Sequence, residues 1–327
     1  MSGSTPSLSI MLTALLLASC SADTTEPGHL VASAAPLANA RWSDWSSPDN
    51  IGEPLNSAQV EQGPSISRDG LSMYFHCIGC PGGFGAADIW VSRRAGVDDP
   101  WGTPRNLGPT INTSAGDGSP NLSSDGHWLF FGSTRAGGFG SNDLYVSRRH
   151  DKNDDFGWQP PVNLGPNVNT AASDNGAATF ETVNGGLGVY FASGRAGGMG
   201  GNDVYLSVRG DDEAFGPAVL VPELSTSFND QGPTVSRDGL EVIFPSNRTG
   251  TLGDLDLWRS TRRSLNDAWS VPENMGPGIN SEFIDAGAEL SFDGTTLFFH
   301  SPFREGSVGG PFFDIWYVTR SRLRGAP

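Results

Sequence analysis

The chain has 327 residues, of which 44 are glycine and 23 proline, and both residue types interrupt helices. Nine tryptophans and 18 phenylalanines supply a core that a disordered chain lacks, so the composition reads as all-β with many turns. Acids outnumber basic residues 36 to 20, a net charge of −16, and Lys152 is the sole lysine. A phosphate backbone is therefore an unfavourable partner, whereas cations and neutral ligands are accessible ones.

The first predicted element is an address. Residues 8–18 form an apolar run too short to cross a bilayer but of signal-peptide length. It ends in Leu17-Ala18-Ser19-Cys20, which resembles the bacterial lipobox. That resemblance implies that residues 1–20 are a lipoprotein signal and that Cys20 becomes the lipidated N-terminus of an exported protein. The leading ten residues carry no Lys or Arg, which departs from the usual pattern of such signals. Residues 21–41 are small and polar and read as a flexible tether. Ser21, following the cysteine, points by the enterobacterial sorting pattern to the outer membrane, with the membrane touched through the lipid alone.

Residues 42–320 carry a repeat, and residues 321–327 a short tail. Asp/Asn-Gly followed by an alternating apolar run occurs at Asp69-Gly70, Asp125-Gly126, Asn184-Gly185, Asp238-Gly239 and Asp293-Gly294, at spacings of 56, 59, 54 and 55. A second marker, Asp-aliphatic-aromatic, occurs at Asp88, Asp143, Asp203, Asp256 and Asp314. A third, aromatic-x-x-Pro/Ala, begins at Trp45, Trp101, Trp158, Phe215 and Trp269. Three markers in one register predict five units of four short strands, a five-bladed β-propeller. In the second unit the strands are expected at 119–123, 128–133, 143–149 and 104–107. The Asp-Gly pair suits a tight hairpin, since both residues tolerate positive φ. The last unit lacks a trailing aromatic-x-x-Pro strand. The segment Ala40–Ile51 is expected to supply it by pairing with Phe313–Arg320, which removes the exposed edges.

Ser67-Arg-Asp-Gly-Leu-Ser-Met-Tyr-Phe and Ser123-Ser-Asp-Gly-His-Trp-Leu-Phe-Phe resemble the core of the WD40-like (PD40) repeats of the TolB propeller family, and Ser133-Thr-Arg-Ala-Gly-Gly-Phe-Gly-Ser-Asn-Asp-Leu-Tyr continues that pattern. The resemblance covers 42–320. It implies the propeller fold, with Asp-Gly hairpins on one face and Gly-rich loops and crossovers on the other, and it implies no single function, because propellers host binding, scaffolding and catalysis.

Five acids, Glu61, Asp117, Asp174, Asp230 and Asp285, precede the innermost strands and are expected to ring the channel mouth. Carboxylates there suit Ca²⁺ or a polar ligand, or else each caps its own crossover backbone. Repetition in every blade favours the structural role, because a catalytic site uses different residues in different blades. Arg135, Arg195, Arg248 and Arg304 are expected to pair with the acids of the second marker, Asp143, Asp203, Asp256 and Asp314. The Gly-rich loops, such as Ala136-Gly-Gly-Phe-Gly, are neither P-loops nor calcium nonapeptides and read as tight connections.

Unit one breaks the pattern, with Gly79 or Cys80 at the arginine position. Cys77 and Cys80 are the two cysteines left in an exported chain after lipidation, which suggests a disulfide, although a redox pair stays open and a metal site would need further ligands. His76 and His300 end the second strands of units one and five, neighbours once the ring closes, and with Glu61 and Asp285 they define a candidate polar pocket. No G-x-S-x-G or H-E-x-x-H motif occurs. The sequence thus points to a monomeric, envelope-tethered module that binds a protein or glycan at the channel mouth. The alternative is a glycosidase-like enzyme using two of the carboxylates there.

Overall fold

The computed structural model describes Met1 and residues 41–182, 185–211 and 213–323. The signal segment with Cys20, the tether up to residue 40 and Asn184 lie outside the described residues. Twenty-two strands and no helices occur among those described. Blade 1 is β3 (Val60–Ile66), β4 (Ser72–Ile78), β5 (Asp88–Arg93) and β6 (Arg105–Asn106). Blade 2 is β7 (Asp117–Leu122), β8 (Trp128–Ser133), β9 (Asp143–Arg148) and β10 (Val162–Asn163). Blade 3 is β11 (Asp174–Glu181), β12 (Leu187–Ser193), β13 (Asp203–Val208) and β14 (Val219–Leu220). Blade 4 is β15 (Thr234–Val235), β16 (Glu241–Ser246), β17 (Asp256–Thr261) and β18 (Glu273–Asn274). Blade 5 takes β19 (Ala286–Leu290), β20 (Thr296–Pro302) and β21 (Phe313–Thr319) from the end of the chain and β2 (Asp49–Asn50) from its beginning. The fold is a five-bladed propeller of four-stranded antiparallel blades.

The closing register is Asp49 opposite Tyr317 and Asn50 opposite Trp316. Beyond it, β1 (Arg41–Trp42) pairs with β22 (Arg322–Leu323). Pairing also corrects one expectation. The strand Arg105–Asn106 joins Val91 and Trp90 of blade 1 rather than blade 2. Every aromatic-x-x-Pro strand therefore closes the blade before it, which is why the first such segment is left over to close the last blade.

The second strand of each blade is buried on both sides, because neighbouring blades cover its two faces; β4 is buried from Ser72 through Cys77. That explains runs such as Met-Tyr-Phe and Leu-Phe-Phe in place of strict alternation. At the hairpins only the glycine takes positive φ, +73° at Gly70 and +74° at Gly294. Asp69 instead accepts from Ser67 Oγ at 2.6 Å and from the Leu71 amide at 3.0 Å, so the acid caps the turn from an ordinary backbone conformation.

The Gly-rich loops lean on the next blade. A Cβ on Gly85 would lie 1.9 Å from the Ala115 carbonyl oxygen, and one on Gly140 would lie 2.2 Å from that of Ala172. Their glycines serve close approach to the neighbouring crossover rather than a ligand. The same contact confirms that these loops and the crossovers share a face.

Candidate functional site

Four crossover acids are wholly buried, so they form no open ring. Asp117 accepts from the Thr113 amide at 2.7 Å, from Thr113 Oγ1 at 2.8 Å and from Arg135 Nη2 at 2.7 Å. Asp174 and Arg195 meet at 2.8 Å, Asp230 and Arg248 at 2.6 Å, and Asp285 and Arg304 at 2.5 Å. Each of these acids also accepts from the Thr or Ser four residues earlier, namely Thr170, Thr226 and Ser281. The expected pairing of these arginines with Asp143, Asp203, Asp256 and Asp314 is therefore wrong. Those acids accept loop amides instead: Phe139 to Asp143 at 2.6 Å, Met199 to Asp203 at 2.7 Å, Leu252 to Asp256 at 2.7 Å and Val308 to Asp314 at 2.6 Å. The arginine lies two residues (three for Arg304) past the strand partner of the crossover acid, so a short reach takes its guanidinium there.

In blade 1 the structure joins Cys77 to Cys80 by a disulfide. Glu61, opposite Cys77 in the register, accepts from Ser57 Oγ at 2.5 Å and from the Ser57 amide at 3.2 Å. Burial is the main cause that pushes its carboxyl above the usual range.

His76 and His300 do come together, flanking Gly63. The Gly63 amide donates to His300 Nδ1 at 3.1 Å, the Ser119 amide donates to His76 Nδ1 at 3.2 Å, and His76 Nε2 donates to Gln62 Oε1 at 3.2 Å. Each histidine thus accepts an amide from the next blade. Desolvation lowers His76 to about 4 and His300 to about 3. Glu61 and Asp285 do not join them. Glu61 precedes Gln62 on one strand, and alternate residues point to opposite faces, so the four-residue pocket does not exist.

The channel acid is one the sequence reading passed over. Glu289 accepts from Ser65 Oγ at 3.1 Å and from Thr234 Oγ1 at 3.3 Å, tying blade 5 to blades 1 and 4. Burial pushes it up to about 8. The channel around His300, Asn175 and Gln231 holds only about 100 Å³, and Glu289 is its one carboxylate among the described residues.

A cavity of about 800 Å³, far larger than the channel pocket, lies elsewhere, where blade 5 meets blade 1 on the Asp-Gly hairpin face. Trp101, Phe292, Phe298 and Tyr317 give it aromatic walls; Arg94, Asp98 and Asp99 supply polar groups. A repeat device explains the opening. An arginine stands six residues after each second-marker Asp (Arg94, Arg149, Arg209, Arg262 and Arg320), a fivefold signal the sequence reading missed. Four of them donate to their own hairpin glycine carbonyl at 2.7–2.8 Å and stack on Trp101, Trp158, Trp269 and Trp45 with centroids 4.2–4.5 Å away.

Two of the other gaps are plugged in front of that arginine. Between blades 1 and 2, Asp155 binds Arg149 at 2.9 Å, Tyr74 Oη at 2.6 Å and Ser72 Oγ at 2.9 Å. Between blades 4 and 5, Glu241 binds Arg320 at 2.6 Å. In the closing gap Thr296 and Phe298 stand where Ser72 and Tyr74 do, so the tyrosine hydroxyl is missing. The loop 95–100 has six residues against eight in 150–157, and among the described residues neither Asp98 nor Asp99 forms an ion pair across to blade 5. The gap stays open.

No family model matches the chain, and no curated protein matches it in sequence. Among solved structures it is similar to an α-L-arabinofuranosidase from Lactobacillus brevis, with 15% identity, TM-score 0.55, and 80% of this chain and 91% of that one covered. A family 62 α-L-arabinofuranosidase catalytic domain from Coprinopsis cinerea gives 13% identity, TM-score 0.53, and coverages of 87% and 98%. TolB from Acinetobacter baumannii gives 13% identity, TM-score 0.46, and coverages of 80% and 55%. Identities this low speak for the propeller fold alone, and the TolB overlap is too loose to argue from.

Proposed function

We propose that this propeller is an envelope-tethered binding module, lipidated at Cys20, that takes a neutral glycan in the cleft between blades 5 and 1. The observation that carries the reading is that cleft, with its aromatic walls, its mixed polar groups and its volume for a few sugar rings. Trp101 lies under Arg94, Phe292 under Arg68, and Phe298 is buried, so the partly exposed Tyr317 ring is the aromatic surface against which the apolar face of a sugar would stack, while Asp98 and Asp99 offer acceptors for hydroxyls. The net charge of −16 disfavours an anionic ligand.

The enzymatic reading draws support from the neighbours named arabinofuranosidases. Its chemistry needs two carboxylates flanking one bond, roughly 5–9.5 Å apart. The channel pocket offers Glu289 alone, and four crossover acids are spent on arginines; in the cleft itself Asp69 and Asp293 cap their own hairpins, and Glu53, Asp98 and Asp99 are exposed on its rim. Binding without turnover fits that inventory better.

A glycan array probed with the mature chain, with and without Ca²⁺, tests the reading when reducing-sugar release is assayed on every positive glycan. Retention without release supports it. Release would favour the enzyme, and an array with no positive glycan would sink the glycan reading.

A further inference from the structure

Blade 1 lacks a cation that the other four blades all have. In blades 2–5 the buried crossover acid is Asp, held by an arginine at 2.5–2.8 Å. In blade 1 it is Glu61, equally buried, and no basic side chain pairs with it among the described residues. Cys77 holds the strand position of Ser133, and Cys80 follows it by three residues, the offset at which Arg304 follows Ser301. The two sulfurs therefore stand where the serine and the guanidinium stand elsewhere. Glu61 Oε1 is 3.8 Å from Cys77 Sγ and 3.9 Å from Cys80 Sγ, and one ligand atom from each residue lies within 4.8 Å of the others.

We propose that, once the disulfide is reduced, Glu61, Cys77 and Cys80 bind one thiophilic divalent cation of the Zn²⁺ type, which takes the place of the missing guanidinium. Borderline-soft Zn²⁺ accepts thiolate and carboxylate together, with water completing a tetrahedron. Cys-x-x-Cys spacing brings two sulfurs to one ion, and the longer Glu gives its carboxylate one more methylene of reach than Asp. A dithiol supplies the two electrons and two protons of the reduction. Its thiolate attacks the less buried Cys80 sulfur, Cys77 leaves and is protonated, and the second thiol of the reagent releases Cys80 and ends in the reagent's own disulfide. Metal entry then displaces two thiol protons to solvent. In the oxidised protein the sulfurs are bonded to one another, so the site is closed and its occupancy follows the redox state.

The test uses the full chain carrying Cys20→Ser, so that Cys77 and Cys80 are its remaining thiols. The protein is reduced with dithiothreitol, desalted without oxygen and titrated with Co²⁺. The proposal expects one equivalent bound with thiolate-to-cobalt charge-transfer absorption, displaced by Zn²⁺, and none in the oxidised protein. Cys77→Ser should abolish the absorption, and Glu61→Gln should weaken binding at least tenfold while leaving both thiols titratable. Absence of the absorption in reduced protein, equal affinity in Glu61→Gln, or loss of the β-sheet circular dichroism on reduction would each overturn it.

Discussion

Asp117 shows how a repeated acid becomes a fastener. It is fully buried, receives an amide and a hydroxyl from Thr113, and is neutralised by Arg135, whose side chain is 16% exposed. Removing one partner of such a pair leaves a buried charge alone, which costs about 3–5 kcal/mol. Arg135→Ala should therefore lower the melting temperature by several degrees in calorimetry; an unchanged transition would contradict the fastener role. The channel groups set the pH response. Folded Glu289 holds its proton up to about 8, whereas the unfolded chain releases it near 4.5, so stability falls as pH rises between those values. Folded His76 and His300 stay neutral down to about 4 and about 3, while the unfolded chain protonates them near 6.5, so stability also falls as pH drops below 6.5. Glu289→Gln should raise the melting temperature at pH 8.5 relative to the parent and leave it nearly unchanged at pH 4.5. Parallel pH curves for the two proteins would contradict this.

At the scale of the element, the strands and their count were legible because three markers repeat in register. The partner of Arg135 was not, because a spacing of eight residues to Asp143 looks closer than eighteen to Asp117, and only the antiparallel pairing of β7 with β8 brings Asp117 alongside. The fivefold arginine after Asp88, Asp143, Asp203, Asp256 and Asp314 was visible in the sequence. Its stacking on the marker tryptophans was not, because that contact spans a loop. The Gly-rich loops illustrate the opposite case. Glycine there reads as a turn residue, yet Gly85 answers to the Ala115 carbonyl of the next blade. Phe84 and Phe139, in consequence, are held about half exposed on that face. Gly85→Ala should destabilise the protein clearly in a thermal melt, whereas Gly278→Ala, with no atom within 4 Å of the added methyl, should not. Equal melting of the two would show that inter-blade contact is not what the glycine serves.

For the molecule as a whole, closure by β2 decides where the candidate site lies. The ring needs five blades and has one seam, where Asp49–Asn50 completes the sheet ending in β21. The seam is one of the gaps without a plugging acid, and a cavity of about 800 Å³ sits there, beside the latch rather than at the channel. The sequence announced the seam but not the cavity, which depends on a two-residue difference in loop length and on Phe298 replacing a tyrosine. The most direct measurement is one glycan array probed with the parent, Tyr317→Ala and Glu289→Gln, each first shown to melt cooperatively. Placement of the ligand in the cleft predicts that parent and Glu289→Gln mark the same glycans and that Tyr317→Ala marks none. A Tyr317→Ala pattern matching the parent, with Glu289→Gln blank, would contradict it and return the site to the channel.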